Sequence, residues 1–307
     1  MGFADKNREL LERHVVFYLP EQIENCEFFG YDIQKKAALE IGLTVLEGEP
    51  CFVEILGIPG SGKTSFVQRT AYTLNHSFDS HYSLMSAKCD KLLRMITSGQ
   101  ATSSDVIQIL ENRVNQAWDN KPAIVFFDEI DSLSPPISDS DPQFALLTKW
   151  IRAYCEEEAV RAEKTFTIGT TNYPDVVDFS VKRRMGISMF FEEPSKQVVS
   201  QMIGMLLGTQ NESGIGDTVF DELKKRGVVP LASDVIIGCR QFMKRCATTQ
   251  NIPFKQKCDD LATLIGGSPR NRIERYYNHF ASEIKTARLQ TEYYAKQFDQ
   301  KHKGATI

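Results

Sequence analysis

The sequence predicts an α/β domain followed by a smaller all-helical one, and three observations carry that prediction. Up to about residue 193, short apolar runs alternate with amphipathic helical patterns, as buried parallel strands joined by helices do. After Pro194 the strand pattern stops and only helical periodicity continues. Between an early strand and the helix that follows it stands Gly57-Ile58-Pro59-Gly60-Ser61-Gly62-Lys63-Thr64, which has the Gly-x4-Gly-Lys-Thr spacing of a phosphate loop. At 307 residues the chain exceeds one typical domain. It divides into an N-terminal segment 1–25, an α/β domain 26–193 and a helical domain 194–307.

The elements follow in chain order. Candidate strands are the apolar runs 52–56, 123–127, 166–168 and 187–191, bounded by turn residues, with 82–86 a less apolar fifth, so a parallel five-stranded sheet between helices is expected. The first helix after the phosphate loop covers 65–74. In the second domain helical patterns cover 198–207, 219–225, 232–246, 258–265 and 273–302, separated by Gly and Pro as in Gly214-Ile215-Gly216 and Val229-Pro230. A stretch rich in Ser, Pro and Asp at 132–142 reads as a loop.

Composition excludes several classes. With 36 Lys+Arg against 40 Asp+Glu the net charge is −4, a balance that argues against a chain devoted to neutralising phosphate backbones. No run approaches the roughly 20 apolar residues of a membrane span, and the charged first residues do not form a secretory signal. The seven cysteines are scattered without zinc-ligand spacing, which points to reduced thiols and a cytoplasmic location.

Two motifs carry chemistry. In the phosphate loop the glycines let backbone amides turn toward a β-phosphate, and the helix N-terminus adds partial positive charge. Pro59, Gly60, Ser61, Gly62 and Ser65 would line the phosphates, Lys63 would reach the β- and γ-phosphates, and Thr64 would hold Mg²⁺. The second motif is Ala123-Ile124-Val125-Phe126-Phe127-Asp128-Glu129, whose acids emerge at a strand's C-terminal end. Such a pair can be a mere solvated strand end. Behind a phosphate loop, Asp128 is the expected Mg²⁺ ligand through water, and Glu129 the group that polarises the attacking water. ATP and Mg²⁺ are therefore the expected cofactors.

With these motifs the chain resembles the AAA+ ATPases, and the resemblance covers nearly all of it. It implies a P-loop AAA+ large domain followed by a helical lid. Phe28-Phe29-Gly30-Tyr31 looks like the adenine-pocket segment, with Phe29 and Gly30 as its binding residues. Thr170-Thr171-Asn172 looks like sensor 1, where the Asn172 amide would orient the lytic water. Arg183 and Arg184 stand where the family supplies arginine fingers to a neighbouring subunit, Arg183 being slightly favoured. Gly266-Gly267-Ser268-Pro269-Arg270 looks like sensor 2, which would give Arg270 a role in reporting nucleotide state. Alone, a strand-end Asn is often structural and an Arg pair is often a solvated face; order and spacing carry these assignments.

A narrower resemblance rests on Asp178-Phe179-Ser180-Val181-Lys182-Arg183 and Phe191-Glu192-Glu193-Pro194-Ser195, which look like the pachytene-checkpoint family of HORMA-domain remodellers. It implies a homo-hexamer that threads and partly unfolds a HORMA-domain partner. With about 25 residues ahead of the adenine segment, the chain resembles the bacterial stand-alone type. Those members work beside HORMA proteins and nucleotide second-messenger synthases in antiviral defence. The pore loop would be the segment 93–99, with Met95 and Ile96 gripping the substrate; their alternative is packing on a helix's core face. Two other readings stay open: a different AAA+ disassembly or severing ATPase, and a clamp-loader or initiator-type nucleic-acid ATPase. The chain shows neither a basic stripe nor a helix-turn-helix appendage for the last, and the run 244–257 reads as lid surface.

Overall fold

The computed structural model describes residues 3–26, 28–49, 51–135, 142–161, 163–208, 214–246 and 253–305. Parts of the loop read at 132–142 (residues 136–141) and of the run 244–257 (residues 247–252) lie outside the described residues. Chain order in the first part is α1 (Phe3–Glu12), β1 (Val15–Tyr18), α2 (Asp32–Leu46), β2 (Cys51–Gly57), α3 (Lys63–Phe78), β3 (Ser83–Lys88), α4 (Cys89–Thr97) and α5 (Ser103–Asp119). Then come β4 (Ala123–Asp128), α6 (Pro142–Arg161), β5 (Thr165–Thr171), the short α7 (Phe179–Lys182) and β6 (Ile187–Phe191).

The strands form one sheet in the order β1-β3-β4-β5-β2-β6. All neighbours pair in parallel except β1, which pairs antiparallel with β3 from Val15↔Ala87 to Tyr18↔Leu84. The sheet thus has the five parallel strands expected plus a sixth, so its strand count is corrected. The sixth comes from the segment 1–25 that the sequence set apart. That segment is anchored by Leu11, Val15 and Ile23, all buried. Four residues on a sheet edge are too few to show a period.

Burial on both faces explains the near-continuous apolar strands. One face packs residues such as Val125 and Phe127 against Leu92 of α4, Leu110 of α5 and Ile151 of α6. The other packs Val53, Ile55, Ile124 and Phe166 against Leu39 of α2 and Phe66 of α3.

The second part runs through α8 (Lys196–Leu207), α9 (Ile215–Lys225), β7 (Val228–Val229), α10 (Ala232–Cys246), α11 (Phe254–Ile265), β8 (Ser268–Pro269), α12 (Arg270–His279) and α13 (Ala281–Lys301). A separate core joins Val199, Ile203, Val219, Leu223, Val235, Leu261 and Ile265 of α8 to α11. The expectation of an all-helical domain is corrected by the two-residue antiparallel ladder of β7 and β8. Its assignment as a lid through residue 307 is corrected as well. Helix α13 returns to the first domain, placing Ala295 and Phe298 in the core with α2 and α3, and Ile284 and Ala287 against Leu56 and Phe190. Lys301 closes the contact by bonding the buried Glu40 of α2 at 2.5 Å. Helical periodicity shows that residues 273–302 wind, but not which core receives them.

Candidate functional site

The phosphate loop sits where β2 ends and α3 begins. Gly60 and Gly62 adopt φ of +84° and +96°, which disfavour any side chain. At Gly60 space forbids one too, since an added Cβ would come within 2.4 Å of Ser233 Oγ. Lys63 is buried in the loop, its ammonium donating to the carbonyls of Gly57 (2.7 Å) and Ile58 (3.1 Å) and to Asn172 Oδ1 (2.7 Å). Burial pushes its pKa down to about 8, opposed by the carboxylates of Asp128, Glu129 and Asp131. Ser61 Oγ is fully buried without a hydrogen-bond partner in this structure. A buried hydroxyl left unsatisfied costs free energy, and an anion in the loop would relieve it.

The acids come from the end of β4. Asp128 accepts from Thr64 Oγ1 at 2.8 Å and from Thr170 Oγ1 at 2.7 Å. The Thr170 hydroxyl in turn accepts the backbone N–H of Glu129 at 3.0 Å. Glu129 needs that support because it stands in the left-handed region at φ 56°, ψ 55°, a conformation costing about 1–3 kcal/mol for a non-glycine residue. Strain of this kind gathers at functional positions. Asn172 Nδ2 donates to Glu129 Oε1 at 3.3 Å, so one amide bridges the lysine and the second acid. Burial, then the neighbouring Asp90, Asp128 and Asp131, raise the Glu129 pKa and make it a stronger base. Next to it, Thr171 Oγ1 donates to Asp131 at 2.6 Å.

These groups open onto one cleft of about 520 Å³ between the α/β domain and the second domain. Of the residues expected at the site, Phe29, Pro59, Gly60, Ser61, Gly62, Lys63, Thr64, Ser65, Asp128, Glu129 and Asn172 all line it. Phe28 and Tyr31 form its aromatic wall, stacked at 5.6 Å on each other, with Tyr31 4.7 Å from the Phe191 ring. Thr64 and Asp128 offer an all-oxygen donor pair of the kind that suits Mg²⁺. Among the described residues there is no protein-only cluster of three metal-ligating acids, cysteines or histidines.

Other expectations are placed elsewhere. Gly30 is not in the cleft wall; its φ of +69° and the 2.3 Å approach of Val198 Cγ2 to an added Cβ make it a close-packing point between α8 and the chain before α2. Arg270 is corrected: it begins α12, is more than half exposed, and pairs with Glu274 at 3.1 Å outside the cleft. In its place the start of α10 approaches the loop, where Ser233 N donates to Gly60 O at 3.2 Å. Met95 and Ile96 are corrected too. Helix α4 continues through them, Leu92, Met95 and Ile96 form one stripe at i, i+3, i+4, and both are buried in the first core. Of the segment 93–99 only Arg94 and residues 97–99 are exposed, followed by exposed Gln100. Arg183 and Arg184 lie away from the chain's own cleft. Arg184 bonds the Ser180 carbonyl and Glu156, whereas Arg183 is exposed and holds no ion pair among the described residues.

Sequence reasoning missed the second-domain wall of the cleft: Val198, Met202 and Leu206 on α8, and Ser233, Ile236 and Arg240 on α10. Both sets have helical spacing, but so do the core-facing residues beside them, so no sequence signal separates the two.

Comparison with known proteins places the fold. Residues 53–193 match the family model of the ATPase family associated with various cellular activities (AAA). The chain is 25% identical over 191 residues to vacuolar protein sorting-associated protein 4B of Mus musculus, which covers 62% of this chain and 40% of that protein. It is 26% identical over 234 residues to the peroxisomal ATPase PEX6 of Yarrowia lipolytica, covering 75% of this chain and 19% of that one. The chain thus spans less than half the length of these two relatives. Among solved structures, the FIGL-1 AAA domain in complex with ADP superposes with a TM-score of 0.66 at 17% identity, over 91% of this chain and 97% of that one. A chain of the E. coli MS115-1 HORMA:CdnC:Trip13 complex superposes with a TM-score of 0.63 at 14% identity, over 83% and 95%. At such identities the superpositions speak for the fold, which is that of an AAA ATPase domain. No helix among the described residues is long and apolar enough to cross a membrane.

Proposed function

We propose that the AAA ATPase domain built around residues 53–193 hydrolyses ATP to remodel a protein partner, and that the partner is a HORMA-domain protein. The observation that carries the hydrolytic reading is the Asn172 amide, which accepts from Lys63 at 2.7 Å and donates to Glu129 at 3.3 Å. Lys63 binds the β- and γ-phosphates, and its charge, costly in the buried loop, is offset when they arrive. Asn172 fixes the Glu129 carboxylate, which takes the proton of the attacking water as that water adds to the γ-phosphorus and the β–γ bridge breaks. Thr64 and Asp128 would hold Mg²⁺, which when bound supplies positive charge against the triphosphate. Arg183, exposed on the segment after α7, serves the site of an adjacent copy in a homo-hexamer.

The likeness to a chain of the HORMA:CdnC:Trip13 complex supports the choice of partner. On this reading the ring works in the cytoplasm, opens a closed HORMA protein, and restrains a bacterial second-messenger antiviral system. Seven cysteines outside any disulfide are in keeping with that compartment. With Met95 and Ile96 buried, any grip on the partner falls to the exposed 97–100 segment. A second reading, disassembly of a different protein complex, is favoured by the identity to the vacuolar sorting protein and the peroxisomal ATPase.

The deciding experiment incubates Glu129→Gln with ATP and a purified HORMA-domain protein. A stable complex that forms only with ATP, and wild-type conversion of the closed HORMA form to the open one, are expected. Absence of both, with ATP turnover intact in the wild type, would leave the disassembly reading in its place.

A further inference from the structure

The cleft has two ends of different chemistry. Three of the charged residues in its wall, Lys63, Asp128 and Glu129, sit at the phosphate loop. The fourth, Arg240, comes from α10. Ser233, Ile236 and Arg240 are spaced i, i+3, i+7 and so share one stripe of that helix. The stripe has a fixed origin, because Ser233 N bonds the Gly60 carbonyl in the phosphate loop. Seven residues at 1.5 Å rise place Arg240 about 10 Å along the axis from that anchor. The second-domain wall of the cleft is apolar: Met202 belongs to the second domain's core, and Phe29, Leu206 and Ile236 pack against that core.

On the nucleotide reading, a ligand held by its phosphates at the loop has this apolar wall available for its base, and Arg240 in the same cleft is exposed with no ion pair among the described residues. Guanidinium is planar and weakly hydrated, and it stacks on aromatic faces. A cation placed here serves the uncharged half of a nucleotide rather than its phosphates. We infer that Arg240 is a recognition residue for the nucleoside, covering the open face of the base by stacking and closing the mouth of the cleft from the second domain. The inference rests on the nucleotide reading of the cleft.

Calorimetric titration of the full chain with ATP, ADP and inorganic tripolyphosphate tests it. Arg240→Ala should weaken ATP and ADP alike, on the order of tenfold. Tripolyphosphate, which has no base, should bind as it does to the wild type. Arg240→Lys should behave like Arg240→Ala, because it keeps the charge and loses the plane. Unchanged ATP affinity in Arg240→Ala overturns the inference. So does a parallel loss of tripolyphosphate binding, or full rescue by lysine, since either makes Arg240 a phosphate-directed charge. A wild-type chain that binds tripolyphosphate but neither nucleotide also overturns it while leaving the phosphate loop standing. Failure of all three ligands would remove the nucleotide reading itself.

Discussion

The Lys63 ammonium and the Asn172 side-chain oxygen lie 2.7 Å apart, and through that contact the phosphate loop on β2 is joined to the end of β5 two residues beyond Thr170. The other side of the same amide reaches Glu129, so the proposed phosphate-binding lysine and the proposed base share one side chain. An amide can do this because it has an acceptor and a donor on opposite atoms, whereas a carboxylate has acceptors alone. Asn172→Asp would put a further carboxylate beside Glu129, raising the pKa of the base and losing the bond that orients it. Turnover should fall about a hundredfold while ATP still binds. Single-turnover hydrolysis and equilibrium binding separate the two effects, and an equal loss in both would deny the amide its orienting role.

Lys63 gives the site a pH dependence with a definite sign. Burial holds its pKa near 8 in the free protein, and phosphate charge must raise it on binding. Below pH 8 the lysine is already charged and affinity should be flat. Above pH 8 binding must take up a proton, so ATP affinity should fall by up to about tenfold per pH unit. Titrations in buffers of different ionisation enthalpy, at pH 7 and pH 9, should show proton uptake only at the higher pH.

Glu54 predicts a second pH effect, on stability rather than binding. It lies on β2, 2% exposed, with one oxygen accepting from Ser188 Oγ at 3.1 Å and the other unpartnered. Burial raises its pKa to about 7, against the opposing pull of Lys182 and the Ser188 bond. An acid with a raised folded-state pKa costs nothing below its unfolded value, and its penalty grows as pH climbs toward the folded one. Stability should therefore drop between about pH 4.5 and 7, by at most about 3 kcal/mol. Glu54→Gln should flatten that slope and be the more stable protein at pH 8. Denaturant unfolding at pH 5 and 8 checks this; a less stable variant at pH 8 would mean Glu54 is ionised and held by Lys182.

How far the sequence can be read depends on what kind of constraint each residue obeys. Gly60, Gly62 and Lys63 answer to a local backbone shape, so their spacing along the chain reveals them. Asp128 and Glu129 follow a strand whose unbroken apolar run marks it as central. Arg270 and Arg240 differ only in which helix the second domain turns toward the loop, and that choice is made by tertiary packing. Met95 and Ile96 show the same limit, because a helix stripe and a gripping loop share one composition. Strand β1 is invisible for a simpler reason, being four residues that gain their partners only from β3.

Helix α13 offers a test of the corrected division. Phe298 is 1% exposed in the core of α2 and α3, 6.0 Å from the Phe78 ring. Phe298→Ala should cost about 3–5 kcal/mol, the usual range for a buried phenylalanine. If α13 were part of a mobile lid, the variant would instead disturb the second domain and leave the α/β unfolding transition unmoved. Hydrogen exchange across α2 and α8 distinguishes the two, with protection expected to fall in α2.

The two arginines after α7 make opposite predictions. Arg184 is tied down by Glu156 and the Ser180 carbonyl, which gives it a local structural role. Arg183 is exposed, holds no ion pair among the described residues, and shares an i, i+4 face with Phe179, itself 77% exposed; in the proposed assembly it would enter another copy's site. A guanidinium supplied to a phosphoryl-transfer site is worth on the order of a thousandfold in rate. Arg183→Ala should therefore abolish most hydrolysis without loss of ATP binding, whereas Arg184→Ala should keep it and lose about 1 kcal/mol of stability. Mixing decides whether the arginine acts between copies. A Lys63→Ala subunit keeps Arg183 but has no working site; an Arg183→Ala subunit keeps the site but has no finger. Each is inactive alone, and together they should regain hydrolysis as the ratio approaches equality. If no ratio restores activity while both variants still assemble, Arg183 does not act in trans.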